Sequence, residues 1–516
     1  MHRECHGCIP PGSWRWQAQC YSNTLAGAGC RSAGRPSPDV RGGEQQTMAT
    51  KGTTAVLAEW AAGFRLDDAP KPVVERMKAL VLDLFRVAAV GAHLPWSRAA
   101  RRLAVELGGN GRSSILLSEV RLDPARAAFV NGAYAHACDL DDTHVGSMHH
   151  AGASILPAVL AIAESEDASG RALLEAAIVG YEASLRIGLA TQPSLFQRGF
   201  MATPTVGALG AALAAGKLLG FGAEDLAGAL GAAGAYAGGL AQFYHSGSYI
   251  KRLNGARGAE SGVMAALLTR AGIWGPRDIL EGEAGFFRAF AEKSDPTRVT
   301  DDLGRGYRLM EVSTKVHAGA GRLQASVDAG LALGCAQNLA PADVADVEVG
   351  IPKVIQGRLT QLDPPDLQSA QLSVPFSLAM ALALGRTRGA QAAIRREDYE
   401  TALASEEVRA LSGRVRCVLD PEIEAGTNTE EVPSRVSIRL RDGRVLTERV
   451  AHPRGSPHRR MSWDELSALF SDTVADALTA DRLRDVLDGV AGLDQGSSPR
   501  RLIASFVAPQ DWVDGG

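Results

Sequence analysis

The chain has 516 residues, of which 46% are hydrophobic and 22% are charged, and its formal net charge is -4. This composition is typical of a globular protein, and the length favours more than one domain. The small net charge gives no electrostatic footprint for nucleic acid or for an anionic membrane surface, so we expect neither as a partner.

Residues 1–47 differ in composition from the rest of the chain. They contain four of the seven cysteines, Cys5, Cys8, Cys20 and Cys30. Only the first two have the spacing of zinc ligands. A secretory signal is not expected, because these residues contain no continuous apolar run. We predict a disordered or mistakenly translated extension. The other three cysteines are widely separated, which fits the reducing cytoplasm, where we expect the protein to act.

From residue 48 to residue 308 the apolar pattern predicts an all-helical domain. Met48 opens the first predicted helix, and apolar residues then recur three and four positions apart, as on one face of a helix. Glycines inside these segments predict that neighbouring helix axes approach closely. The segments predicted as helices are 74–92, 126–137, 155–166, 171–189, 204–219, 223–239 and 256–271.

From residue 309 to residue 460 the pattern changes to that of an α+β domain. Residues 344–351, 435–440 and 445–450 alternate with period two, which predicts strands, and an Asp-Gly turn joins the last two. Helices are predicted at 373–384 and 396–411. Residues 461–516 return to a helical pattern. The fold class is therefore mainly α with an inserted α+β domain, and we expect the C-terminal helices to pack on the helical domain.

A loop between two predicted helices, from His136 to His150, concentrates titratable side chains. It holds three carboxylates, at Asp139, Asp141 and Asp142, beside four histidines. Burying such groups without partners is costly, so the loop is expected to line a cleft. A metal site is one interpretation, but no histidine pair with the spacing of a zinc helix is present. General acid–base chemistry is the favoured interpretation.

Two further segments place cations in loops beside small residues. Lys251 and Arg252 form one of them, and Lys315 followed by His317 forms the other. Isolated lysines are mostly solvated surface residues. A substrate with several carboxylates would nevertheless need such cations, because its charges must be neutralised when it leaves water.

These segments, in this order, resemble the MmgE/PrpD family, which includes 2-methylcitrate dehydratase, cis-aconitate decarboxylase and iminodisuccinate epimerase. The resemblance runs from about Thr54 to the end of the chain. The residues that carry it are 131–136, 139–143, 150–153, 204–210, 250–253, 259–262, 280–286, 371–375 and 457–463.

The resemblance implies a helical domain with an inserted α+β lid domain, a homodimer, and no cofactor or metal. It assigns five residues to catalysis: Asp139, Thr143, His150, Lys251 and Lys315. His149 replaces His150 if the alignment is set from Asp142-Thr143 instead of from the Leu-Pro end of the loop. We add four candidate substrate-binding residues from the segments themselves: Asp142, His149, Arg252 and His317.

The chain departs from the family pattern at three positions. Met201, Asn254 and Ala320 stand where the family often has histidine. Part of the acid–base set has therefore changed, which disfavours cis-aconitate decarboxylation and weakens the case for strict 2-methylcitrate dehydratase activity.

The leading functional hypothesis is a cofactor-independent hydro-lyase of carboxylic acid metabolism. His150 would transfer the α-proton of a small polycarboxylate or hydroxy acid, oriented by Asp139 or Asp142, and Thr143 would hold a substrate oxygen. The two lysines would stabilise the charge formed on proton removal. An epimerase that uses the same proton abstraction is one alternative. A non-catalytic dimeric scaffold is the other, because a fold does not establish an activity.

Overall fold

The computed structural model describes residues 51–109, 111–246, 248–509 and 512. The expectation for residues 1–47, and the prediction that Met48 opens a helix, lie outside these residues. Among the described residues, no helix combines the length and the apolar character needed to cross a membrane.

The first part of the described chain is helical, as predicted. A two-stranded antiparallel ribbon, β1 (Ser113–Ser114) and β2 (Arg121–Leu122), is inserted between its third and fourth helices. The helices are α1 (Thr53–Gly63), α2 (Lys71–Ala92), α3 (Pro95–Glu106), α4 (Pro124–His136), α5 (Ala151–Ser165), α6 (Gly170–Thr191), α7 (Ser194–Gln197), α8 (Ala202–Leu218), α9 (Ala223–Tyr236), α10 (Phe243–Ser246), α11 (Asn254–Arg270), α12 (Phe286–Phe290) and α13 (Thr297–Thr300).

Small residues let the central helices of this part pack closely. α8 packs against α5, α6 and α11. A Cβ atom built on Gly210 of α8 would lie 2.5 Å from the carbonyl oxygen of Gly180 in α6, so neither position has room for a side chain. The glycines therefore have the packing role that the sequence predicted.

The second part combines helices with a four-stranded sheet. Its elements are α14 (Gln324–Ala336), β3 (Val344–Ile351), α15 (Leu367–Gln371), α16 (Val374–Arg388), α17 (Arg396–Leu403), α18 (Glu406–Ser412), β4 (Val415–Leu419), α19 (Pro421–Gly426), β5 (Ser434–Leu440) and β6 (Val445–Val450). The strand order is β4-β3-β5-β6, with β3 and β4 parallel and the other pairs antiparallel. α14 packs on α16 and on β5 and β6.

The sequence-based predictions of this part were right for three strands but incomplete for the other elements. The strand β4 and the helices α14, α15 and α19 were not predicted. The single helix predicted at 396–411 is two helices, because the Ser405 hydroxyl accepts a hydrogen bond from the backbone N–H of Val408 and caps a new helix there.

The C-terminal segment returns to the helical part of the molecule, as predicted. It forms α20 (Trp463–Val474), α21 (Ala480–Ala491) and α22 (Pro499–Ser505). α20 and α21 pack on α2, and α22 packs on α5. The chain is therefore mainly helical with an α+β part inserted before its last helices.

Candidate active site

The loop between α4 and α5 is held in one conformation by its own backbone. Asp139 and Met148 have positive φ angles, 56° and 51°, which are uncommon for residues other than glycine. The backbone groups of His144 and His149 exchange hydrogen bonds of 2.9 and 3.3 Å. Thr143 exchanges a similar pair, of 3.0 and 2.8 Å, with Ser313, so the loop is fixed to the segment that carries Lys315.

Asp139 binds both of the lysines that the sequence singled out. Nζ of Lys251 lies 2.6 Å from its Oδ2 atom, and Nζ of Lys315 lies 2.9 Å from its Oδ1 atom and 2.7 Å from its carbonyl oxygen. Burial acts to raise the pKa of Asp139, but the two lysines outweigh it and hold the pKa well below its ordinary value. Burial lowers the pKa of Lys251. The three side chains together carry one net positive charge.

An ion pair on α2 holds the backbone at Lys315. The Arg86 guanidinium donates a hydrogen bond of 2.9 Å to the carbonyl oxygen of Lys315, and it is itself paired with Asp83 at 2.8 Å. Both members of this pair are buried. A buried ion pair that also binds a backbone carbonyl fixes the local backbone, because breaking it would leave charges without partners.

His150 is held so that one ring nitrogen remains able to accept a proton. Its Nδ1 atom lies 2.9 Å from the carbonyl oxygen of Asp142 and 3.1 Å from Oγ1 of Thr143. A carbonyl oxygen only accepts hydrogen bonds, so this geometry places the proton on Nδ1 and leaves Nε2 as the acceptor. Burial lowers the pKa of His150 to about 3, so the ring is neutral at neutral pH.

His150 and two residues beside it, His136 and Asp141, form what we call the cleft cluster. The Oδ2 atom of Asp141 lies 2.7 Å from Nδ1 of His136 and 3.5 Å from Nδ1 of His150. Burial acts to raise the pKa of Asp141, but the two histidines outweigh it and lower the pKa below its ordinary value. The three potential ligand atoms lie within 4.8 Å of one another. A metal bound to Nδ1 of His150 would have to displace the proton with which this atom donates a hydrogen bond to the carbonyl oxygen of Asp142.

A cavity of about 100 Å³ brings most of the predicted catalytic residues together. Its polar lining consists of Asp139, Thr143, His150, Tyr244, Lys251 and Arg322. Its apolar lining includes Met148, Phe196, Met201, Leu359 and Leu372. Lys315 lies behind Asp139 and lines a second, smaller cavity of about 10 Å³, which Thr143 also lines.

The carboxylate of Asp142 is turned away from His150. Its oxygens accept hydrogen bonds from the N–H of Gly152 at 2.9 Å and from the Tyr181 hydroxyl at 2.7 Å. Burial raises the pKa of Asp142 to about 7. His150 was predicted to be oriented by Asp139 or Asp142. In the structure the groups beside its Nδ1 atom are the carbonyl oxygen of Asp142, Oγ1 of Thr143 and the carboxylate of Asp141.

The structure places His149 outside the cavity lining, in contrast to His150. Its side chain is fully buried, and neither ring nitrogen has a hydrogen-bond partner among the described residues. Burial lowers the pKa of His149 well below its ordinary value. Its ring lies close to Gly207 of α8, so it packs as part of the helical core.

Arg252 and His317, the other two predicted substrate-binding residues, are also turned away from the cavity. Arg252 donates a hydrogen bond of 2.8 Å to Gln371, and its guanidinium lies 5.6 Å from the ring centroid of Trp96. Nε2 of His317 is 2.9 Å from a carboxylate oxygen of Asp328, and its Nδ1 atom accepts a 3.2 Å hydrogen bond from a backbone N–H. Both residues thus position protein segments in this structure.

Several cavity residues were missed by the sequence analysis. Arg322 follows Lys315 in the same loop, and its Nε atom is buried without a hydrogen-bond partner among the described residues. Burial lowers the pKa of Arg322. The position of this arginine soon after the predicted lysine could have identified it. Tyr244 lies in a segment that carried no such signal.

Two of the three departures from the family pattern lie on the cavity wall. Met201 and Ala320 both line it, whereas Asn254 is not among the lining residues. The amide nitrogen of Asn254 is buried without a hydrogen-bond partner among the described residues. The cavity wall therefore has Met201 and Ala320 at two positions where the family often has histidine.

Fold and cavity together define a helical protein with an inserted α+β part and a cation-lined site that holds one neutral histidine. The MmgE/PrpD N-terminal domain matches residues 55–299, and the MmgE/PrpD C-terminal domain matches residues 317–494. The chain belongs to the MmgE/PrpD family.

Relatives with established names match most of the chain. It is 27% identical to the cis-aconitate decarboxylase-like protein oryM of Aspergillus oryzae, over 87% of this chain and 96% of the relative. It is 28% identical to cis-aconitate decarboxylase of Aspergillus terreus, over 89% of this chain and 97% of the relative. It is 26% identical to 2-methylcitrate dehydratase of Cupriavidus necator, over 66% of this chain and 73% of the relative. These relatives carry the names of lyases or of a lyase-like protein.

Proposed function

We propose that the chain is a cofactor-independent hydro-lyase that acts on a small polycarboxylate or hydroxy acid. The observation that carries the proposal is that one cavity is lined both by a neutral histidine, His150, and by two cations, Lys251 and Arg322. A base and cationic groups at one cavity are what α-proton removal next to a carboxylate requires.

Substrate binding would rest on charge. Lys251, Lys315 and Arg322 carry three positive charges at or behind the cavity, and Asp139 compensates one of them. The two remaining positive charges would attract a carboxylate, and burial would strengthen that attraction because the surrounding dielectric constant is low. Thr143 lines the same cavity and would hold a substrate oxygen.

The chemical step would begin at Nε2 of His150. This atom would take the α-proton, and the negative charge formed on the substrate carboxylate would be stabilised by Lys251. The C–O bond to the β-hydroxyl would then break as the carbon–carbon double bond forms. The leaving oxygen would take the proton back from His150 and depart as water, so that the histidine returns to its neutral form.

Decarboxylation is a second candidate, and the names of the two Aspergillus relatives, which match most of the chain, favour it. The same cations would stabilise the carbanion left by CO2, and a proton from water, passed through Nε2 of His150, would replace the lost CO2. Met201 and Ala320 weigh against this candidate because they bring no acid–base group to the cavity wall. Epimerisation would need only the first proton transfer and its reversal, and a non-catalytic scaffold would need neither.

Proton NMR in D2O tests these candidates together. The protein is incubated with citrate, 2-methylcitrate, cis-aconitate, malate and aspartate-derived diacids. A new vinyl signal with deuterium incorporation supports the hydro-lyase, whereas incorporation alone indicates an epimerase and release of CO2 indicates a decarboxylase. Binding of a substrate in a thermal-shift assay without any exchange would overturn an enzymatic function in favour of a scaffold.

A homodimer in the cytoplasm, without nucleic-acid or membrane partners, is the assembly and location that we propose for this enzyme. The family resemblance supports the dimer, and the spacing of the cysteines after residue 47 supports the reducing compartment. Light scattering coupled to size-exclusion chromatography tests the dimer, and a single-chain mass at micromolar concentration would contradict it.

A further inference from the structure

A second group of histidines and carboxylates lies in the α+β part, outside the cavity that His150 and Lys251 line, and its two glutamates line the smaller cavity beside Lys315. Glu430 and Glu431 precede β5, whereas His452 and His458 follow β6. β5 and β6 are antiparallel neighbours and Ser434 pairs with Val450, so the two segments leave the sheet side by side. We call Glu431, His452 and His458 the lid cluster.

The two histidines of the lid cluster converge on one carboxylate oxygen. Nδ1 of His452 lies 2.5 Å and Nδ1 of His458 lies 2.9 Å from Oε1 of Glu431. Their ring centroids are 5.0 Å apart. Glu430 adds a second carboxylate, 3.3 Å from Nδ1 of His458. Two imidazoles and two carboxylates are ligands that Zn²⁺ and similar divalent ions prefer.

The burial of Glu431 is the second observation that points to a ligand. Its side chain is only 3% exposed, and its Oε2 atom has no hydrogen-bond partner among the described residues. A buried carboxylate with an unpartnered oxygen is costly unless a cation compensates it. The side chains of His452 and His458 are 51% and 49% exposed, so an ion could enter from solvent.

We propose that Glu431, His452 and His458, with Glu430 beside them, form a binding site for a divalent transition-metal ion of the zinc class. The potential ligand atoms of the lid cluster already lie within 4.8 Å of one another. Two ligands of a tetrahedral zinc ion, each about 2.0 Å from the metal, are about 3.3 Å apart. Small side-chain rotations would therefore admit the ion.

The ion would clip together two segments that contact the candidate active site. The carbonyl oxygen of Thr429 accepts a 2.7 Å hydrogen bond from the N–H of Gly146 in the active-site loop. The carbonyl oxygen of Gly455 accepts a 2.9 Å hydrogen bond from the N–H of Thr314, next to Lys315. The proposed role is structural, and it does not depend on the reaction assigned to the cavity.

Zinc stoichiometry tests the site in the full-length chain. The parent, the double variant His452→Gln/His458→Gln and the control His93→Gln are dialysed against ZnCl2, and bound zinc is measured by mass spectrometry. The double variant is expected to bind one zinc ion fewer per chain than the other two proteins. Zinc held by the N-terminal cysteines would be equal in all three and would cancel. Equal stoichiometry in all three proteins would overturn the proposal.

Thermal unfolding and Co²⁺ absorption give independent readings. With EDTA the double variant is expected to unfold close to the Tm of the parent, because each glutamine amide can still donate a hydrogen bond to Oε1 of Glu431. Added ZnCl2 should raise the Tm of the parent and of His93→Gln but not that of the double variant. Co²⁺ bound at the lid cluster should give absorption bands in the parent that are absent from the double variant. These bands should not include thiolate charge-transfer bands, because the lid cluster contains no cysteine. A zinc-dependent rise in Tm that survives in the double variant would contradict the site.

Discussion

The cleft cluster and the lid cluster contain the same residue types, two histidines and one carboxylate, in different surroundings. In the cleft cluster, Nδ1 of His150 donates to a carbonyl oxygen and burial keeps the ring neutral. In the lid cluster, two half-exposed rings point their Nδ1 atoms at one oxygen of Glu431. The difference teaches that burial and hydrogen-bond partners decide what such a group can do: the first suits proton transfer and the second suits a metal ion.

Removing the base of the cleft cluster should have the largest effect. His150→Gln keeps a polar side chain but has no ring nitrogen that can accept a proton, so kcat is expected to fall by about 10²–10⁴-fold. Steady-state assays on the substrate found by NMR give this value. His93→Gln, which replaces a histidine outside both clusters, is the matched control. If the activity of His150→Gln is within about threefold of that of the control, His150 has no part in the mechanism.

Removing a cation beside the cleft cluster should have the next largest effect. Lys251→Met deletes the ammonium group that would face charge formed on the substrate, and kcat is expected to fall by about 10²–10³-fold. Asp139 keeps its contact with Lys315, so the variant should still fold. Lys353→Met, at an exposed position, is the control. If Lys251→Met raised KM with kcat unchanged, the lysine would serve in binding and not in charge stabilisation.

Asp141→Asn tests the part of the cleft cluster that positions His150. Activity is expected to fall by about 10–100-fold, as it does when a carboxylate behind a functional histidine is removed. The negative charge of Asp141 raises the pKa of His150, so its loss should also move the acidic limb of the kcat/KM profile to lower pH. A fall in activity with no movement of that limb would indicate a merely structural role. Asp488→Asn, at an exposed position of α21, is the control.

Asp142→Asn should have the smallest effect, and it tests the raised pKa for which burial is the largest cause. Burial raises the pKa of Asp142 from 3.8 to about 7, so between these values the folded protein binds a proton that the unfolded chain does not. The stabilising contribution of Asp142 is therefore lost as pH rises from about 4 to about 7. An asparagine does not titrate, so the Tm of Asp142→Asn relative to the parent should increase across this range and then stay constant. A Tm difference that is independent of pH would contradict the raised pKa.

The fold was largely predictable because its helices are long and periodic. The helices α2, α4, α5, α6, α8, α9 and α11 each show apolar residues at helical spacing. β4 escaped prediction because its side chains do not alternate in burial: only the first is fully buried. The break at Ser405 depends on one cap, which a periodicity averaged over the segment does not detect.

The residue types of the candidate site were predictable from the sequence, but the directions in which their side chains point were not. The loop from His136 to His150 and the two lysines stand out because titratable groups are rare beside apolar helices. Which of the neighbours His149 and His150 lines the cavity depends on the backbone at Met148, whose positive φ reverses the chain just before them. Sequence spacing does not report such a reversal.

By itself the sequence determined the helical and α+β character of the two parts, the chemistry of the active-site loop and the family. These properties follow from local periodicity and from motifs contained in short segments. Only the tertiary structure decided that Asp141 stands beside His150, that Arg322 joins Lys251 on the cavity, and that Glu431 meets His452 and His458. These contacts join residues whose side-chain directions depend on helix packing and strand register, and no single segment contains that information.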